Sequence, residues 1–96
     1  MTEIYLNNVN VGRLEKIIKD TFFESGSRRF VLNLHDGCRS FVRECSEKID
    51  KVNLIIDWED GTRMSAQAII LDSYLMENNL VNVGVTFTSG VTETND

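Results

Sequence analysis

In the last third of the chain, apolar and polar side chains alternate with a period of two. Val81, Val83, Val85 and Phe87 fall on one side and Asn82, Gly84, Thr86 and Thr88 on the other, the pattern of a strand with one buried and one wet face. Val52 to Trp58 and Thr62 to Leu75 carry two further strand-forming runs. The three together predict an antiparallel meander that turns at Asp60-Gly61 and at Glu77-Asn78-Asn79. Asp-Gly between apolar runs predicts a type I′ hairpin turn, which needs positive φ at both central positions.

Toward the N-terminus the period changes. Glu3 to Leu6 reads as a short strand, and Asn7-Asn8-Val9-Asn10 as a turn whose last asparagine can cap a helix. Val11, Leu14, Ile17, Ile18 and Phe22 then follow at helical spacing, with Arg13, Glu15, Lys16, Lys19 and Asp20 on the other side. This predicts an amphipathic helix ending near Ser25-Gly26-Ser27. Residues 30–42 and 54–66 repeat a small unit, a strand followed by Asp-Gly, one residue and an arginine, so both read as hairpins. Phe41, Val42, Cys45 and Ile49 also sit at helical spacing behind Asp36, and 38–49 reads equally well as a second short helix.

The expected architecture is α+β: one N-terminal amphipathic helix on a largely antiparallel, sandwich- or barrel-like sheet. Residues 1–90 form a single domain and 91–96 a polar tail. The chain contains no proline, a residue that commonly blunts strand edges. An edge is therefore open to another chain unless the helix, a loop or sheet closure covers it.

Composition narrows the function. A chain of 96 residues builds a small core that self-association would help to stabilise. Ten basic against fifteen acidic side chains give a net charge of −5, which argues against a binder that works by neutralising nucleic-acid phosphates. Residues 52–96 hold Arg63 against seven acids, so most of the negative field belongs to that half. The N-terminus has no basic and apolar leader pattern and the longest aliphatic run is Ala68 to Leu71, so an intracellular protein that does not enter a membrane is expected. Cys38 and Cys45 are expected as free thiols of a reducing compartment.

Catalytic chemistry is hard to assemble from these residues. His35 is the single histidine and flanks a turn. His35, Cys38 and Cys45 lack the second ligand pair of a structural zinc site. Asp57, Glu59 and Asp60 crowd a turn without calcium-loop spacing. Arg28-Arg29 beside Phe30 reads as a charged strand start with no wider basic patch around it. The reading is a non-enzyme without a cofactor. Its candidate contact residues are the acidic turn Asp57, Glu59 and Asp60, the interface-prone Trp58, Arg63 and Tyr74, and the wet-face Thr86 and Thr88. Arg63, the one cation of the acidic half, is expected to pair with a nearby carboxylate.

The stretch from Asp60 to Gly90, DGTRMSAQAIILDSYLMENNLVNVGVTFTSG, resembles the last strands of tailed-phage tail-tube and baseplate proteins. The matching positions are Ala66 to Ser73, the Glu77 to Asn79 turn, and Val81 to Gly90. The resemblance covers about a third of the chain. It implies a sandwich or barrel with a flanking helix, ring formation through sheet edges, and a place in a virion. The chain is shorter than a usual tube subunit and lacks a long projecting loop, so a smaller tail or baseplate component is the expected form. The alternative is a small acidic inhibitor, an immunity or anti-defence protein whose carboxylates occlude a basic surface on a partner.

Overall fold

Asn7 and Asn8 set the path of the N-terminal half. In the computed structural model, which describes residues 1–19, 27–48 and 50–95, both asparagines have positive φ, 50° and 67°. Two successive left-handed residues make the two-residue turn that matches the twist of antiparallel strands, and Leu6 pairs directly with Val9 across it. The chain therefore returns as a strand. The elements are β1 (Glu3–Leu6), β2 (Val9–Lys19), β3 (Ser27–Leu34), α1 (Cys38–Lys48), β4 (Lys51–Asp57), β5 (Thr62–Leu75), β6 (Leu80–Phe87) and β7 (Thr92–Asn95).

The N-terminal helix expected from Val11 onward is replaced by β2, for a physical reason. Two bulges interrupt β2. Val11 is the extra residue between Asn10, opposite Tyr5, and Gly12, opposite Ile4. Glu15 is the extra residue between Leu14, opposite Leu32, and Lys16, opposite Val31. An extra residue resets the inward parity of a strand, so buried Val11 and core-packed Leu14 stand three apart and imitate helical spacing. Asn10 caps no helix; its side-chain oxygen accepts the Gly12 N–H at 3.2 Å within the first bulge. Of the expected helix end at Ser25-Gly26-Ser27, Ser27 opens β3, while Ser25, Gly26 and the preceding Phe22 lie outside the described residues.

Elsewhere the order of elements follows the sequence more closely. The two Asp-Gly units diverge: the first leads into α1, the single α-helix among the described residues, and the second into the β4–β5 hairpin. That second turn is not type I′. Gly61 alone of the pair has positive φ (91°), its N–H reaches the Trp58 carbonyl at 3.1 Å, and the Trp58 N–H reaches the Thr62 carbonyl at 2.8 Å. This is a four-residue turn closed by a glycine bulge. The Asn78-Asn79 turn again uses paired left-handed asparagines, each with φ 62°.

The sheet runs β4-β1-β2-β3-β6-β5 and closes through β4–β5 into a six-stranded antiparallel barrel. Closure depends on the 14 residues of β5, which pair with β4 from Arg63 to Ile69 and with β6 from Ala68 to Leu75. Sheet closure thus covers most of the expected open edge, leaving β7 and the Lys16 to Lys19 stretch of β2 with one ladder partner each among the described residues. The expected tail is partly a strand: β7 continues along β5 beyond the end of β6, Thr92 opposite Ser65 and Asn95 opposite Thr62.

Inward side chains fill the barrel, with Phe30, Leu32, Leu54, Ile56, Ile70 and Val83 all at 1% exposure or less. It is a packed core. The helix α1 closes one end by inserting Val42, which is fully buried, while Phe41, Cys38 and Cys45 pack beside it. No described helix is long and apolar enough to cross a membrane.

Gly12 provides the sharpest test of this topology. A Cβ there would meet the Asn33 carbonyl oxygen at 2.2 Å and Leu34 Cα at 2.8 Å, both backbone atoms that cannot step aside. Gly12→Ala is expected to cost about 2 kcal/mol or more in urea unfolding. Asn8→Gly, which keeps the left-handed turn, is expected to cost nothing measurable.

Candidate functional site

On the outer wall of the barrel β3 presents Arg29, β6 presents Asn82 and Gly84, and β5 presents Asp72 and Tyr74. The ladders place them side by side: Arg29 opposite Gly84, Gly84 opposite Asp72, and Asn82 opposite Tyr74. Arg29 Nε donates to Asn82 Oδ1 at 2.7 Å, and its Nη2 donates to Asp72 Oδ1 at 2.5 Å. The guanidinium carbon lies 5.3 Å from the centre of the Tyr74 ring, within cation–π range. The Gly84 N–H also donates to Asp72 Oδ1, at 3.2 Å. The arginine is held on three sides.

Two sequence choices make this cluster possible. Gly84 leaves the space, since a Cβ there would stand 2.9 Å from both Arg29 Nη1 and Asp72 Oδ1. The second is a bulge at Leu71. Ala66, Ala68 and Ile70 are buried inward-facing residues of β5, so unbroken alternation would bury Asp72 in the core. The extra residue between Ile70 and Asp72 turns that carboxylate outward instead. Val31 and Asn82 lie buried in the neighbouring row, at 2% and 6% exposure. Around the polar centre Tyr74 (53% exposed), Leu71 and Ile18 (39% each) form an apolar rim.

The residues expected at a contact surface are dispersed over the barrel. Asp57 and Arg63 face each other on β4 and β5, joined by two hydrogen bonds, Nε to Oδ1 at 2.6 Å and Nη2 to Oδ2 at 2.9 Å. Trp58, Glu59 and Asp60 form the β4–β5 turn, at the end of the barrel away from α1. Trp58 packs onto the core there. Thr86 accepts a hydrogen bond from Ser27 Oγ at 3.2 Å, and the Thr88 N–H donates to the Gln67 carbonyl at 2.9 Å. Of the eight, Tyr74 is the one in the arginine cluster. Arg29 stands out in the sequence only as a charge at a strand start, and nothing local joins it to Asp72, Asn82 and Gly84, although an aspartate in core parity signals that β5 changes face.

The acidic turn is electrostatically engaged within the chain. Hydrogen bonding from Arg63 holds the Asp57 carboxyl below its ordinary range, and the Thr62 N–H does the same for Asp60. Burial pushes the Cys45 thiol up, which makes it a weak nucleophile. Cys38 and Cys45 are both free thiols. Among the described residues no three His, Cys, Asp or Glu side chains approach closely enough to hold a metal ion. What the outer wall offers is a rigid arginine ringed by an aromatic and two aliphatic side chains, a composition suited to protein contact.

No protein-family model matches the chain, and neither a curated protein nor a solved structure matches it significantly.

Two outcomes test these contacts. In a double-mutant cycle, Arg29→Ala and Asp72→Ala should show a coupling of about 1 kcal/mol, and Gly84→Ala should abolish it by displacing both side chains. The depressed Asp57 and Asp60 carboxyls contribute stability that is present above the unfolded-state value near pH ~4 and lost as pH falls through the lower folded value. The thermal midpoint should therefore fall on acidification below that value, and less steeply in Arg63→Ala than in the wild type.

Proposed function

We propose that this is a non-enzymatic protein that works by protein–protein contact, as a self-associating subunit of a larger assembly. The observation that carries the reading is the outer wall of β3, β6 and β5, where exposed Tyr74, Leu71 and Ile18 surround a guanidinium already fixed by Asn82 and Asp72. Tyrosine and arginine dominate interface energetics. A side chain ordered before binding loses less entropy when the contact forms.

The wall, rather than a strand edge, is the favoured contact. The edges that barrel closure leaves are short, the four-residue β7 and the Lys16 to Lys19 stretch of β2, which pairs only with β3 among the described residues, and ladders that short add little. The likeness of residues 60–90 to tail-tube and baseplate strands supports a tail or baseplate setting, in which a helix-flanked barrel is the expected architecture. The inhibitor alternative draws on Asp57, Glu59 and Asp60. It has less support, because Arg63 neutralises Asp57 and Asp60 binds its own turn.

Light scattering after size exclusion, joined to negative-stain imaging, tests the reading. The wild type should exceed the monomer mass as concentration rises, and Leu71→Glu with Tyr74→Ala should return it to monomer with unchanged circular dichroism. A wild type that stays a monomer at every concentration would contradict self-association.

A further inference from the structure

A cleft of about 610 Å³ opens between the first turns of α1 and the end of β5. This is within the range of small-molecule sites, roughly 300–1,000 Å³. Arg39, Ser40 and Arg43 line it from the helix and Ser73, Tyr74 and Leu75 from β5, with Val81 of β6 also in its wall. A second hollow of about 470 Å³ adjoins it, sharing Arg39, Leu75 and Val81 and adding His35, Asn79 and one carboxylate, Asp36. The space exists because β4 stops pairing with β5 at Ile69. The helix, packed less closely than a strand, covers what remains of β5.

Its charge sets the cleft apart from the rest of the chain. Arg29 and Arg63 are each bound to a carboxylate. The guanidinium groups of Arg39 and Arg43 make no hydrogen bond or ion pair among the described residues, although acids outnumber bases fifteen to ten. They stand four residues apart, and therefore on one face of α1. The first turn of α1 contains no acidic residue, and Gly37, which precedes it and also lines the cleft, brings no side chain to cap it. The positive end of the helix thus adds to the same field. Two hydroxyls, Ser40 and Ser73, can donate to anionic oxygens, while Leu75 (53% exposed) and Val81 offer an apolar wall beside them.

We infer that this cleft binds a small phosphorylated ligand of mononucleotide size, its phosphate between Arg39 and Arg43 and its apolar portion against Leu75 and Val81. Tyr74 borders both the cleft and the outer wall; the inference does not rest on self-association, and its test is read at a dilution where the spectra no longer depend on protein concentration. Arginine suits the task because its planar fork matches phosphate oxygens.

Titration of the isotope-labelled full chain with AMP, and separately with inorganic phosphate, tests it by amide shifts. AMP should shift Gly37, Ser40 and Ser73 saturably. Arg39→Ala and Arg43→Ala should each weaken binding about tenfold or more. Arg13→Ala, which removes a cation on β2, should leave it unchanged. Both helix arginines are exposed, and an unchanged thermal midpoint would establish that the variants fold. Three results overturn the inference: no saturable shift with AMP, equal AMP affinity in the double variant, or equal loss in Arg13→Ala. Saturation by inorganic phosphate without AMP would also overturn it, since the apolar wall would then contribute nothing.

Discussion

The strand β5 has to serve two neighbours in turn, and the rest of the molecule depends on how it does so. Its first half pairs with β4 and its second with β6, so the sheet becomes a closed cylinder instead of an open layer. Closure needs strands that bend and twist, and the bulges at Val11, Glu15 and Leu71 supply that. The barrel interior is then small enough for side chains to fill, and Val42 of the helix completes it from one end. Closing the sheet also satisfies most of the backbone groups that an open edge would leave for another chain.

The same bulges decide what reaches the surface. Displaced by one residue at Leu71, β5 turns Asp72 away from the core and toward Arg29, and the aliphatic side chain of Leu71 is left exposed beside it. The local departure from regular pairing thus produces both the polar centre and part of the apolar rim. Gly84 has the complementary role, since its missing side chain leaves room for the guanidinium and the carboxylate. A wall built this way is rigid, because each polar group at its centre is tied to a ladder strand. The cleft beside α1 follows from the opposite circumstance, the place where β5 runs beyond its strand partner and a helix takes over.

What could be read from the chain depends on whether a signal is local. The strand at Val81 to Phe87 and the Asn78-Asn79 turn are properties of neighbouring residues, and both appear in the structure, but Asn82 and Gly84 of the expected wet face are buried beside Arg29 and Asp72. The segment at 38–49 satisfied two periods at once, and packing of Val42 into the barrel end selects the helix for 38–48. The strand β2 was illegible for a definite reason: two bulges convert a period of two into spacings of three, and the deciding residues, Asn7 and Asn8, lie outside the apolar pattern. Arg29 was visible as a charge at a strand start. Its partners Asp72 and Asn82 are 43 and 53 residues away, and no local rule joins them.

Self-association is proposed to run through the outer wall around Arg29 and Tyr74. Amide correlation spectra recorded from dilute to concentrated protein address it residue by residue. The resonances of Leu71, Tyr74, the Asn82 side-chain amide and Gly84 should move progressively with concentration, while those of Asn53, Ile55 and Ser65 on β4 and the β4-facing part of β5 stay fixed. Spectra that do not change, or changes centred on β4 instead, would contradict it.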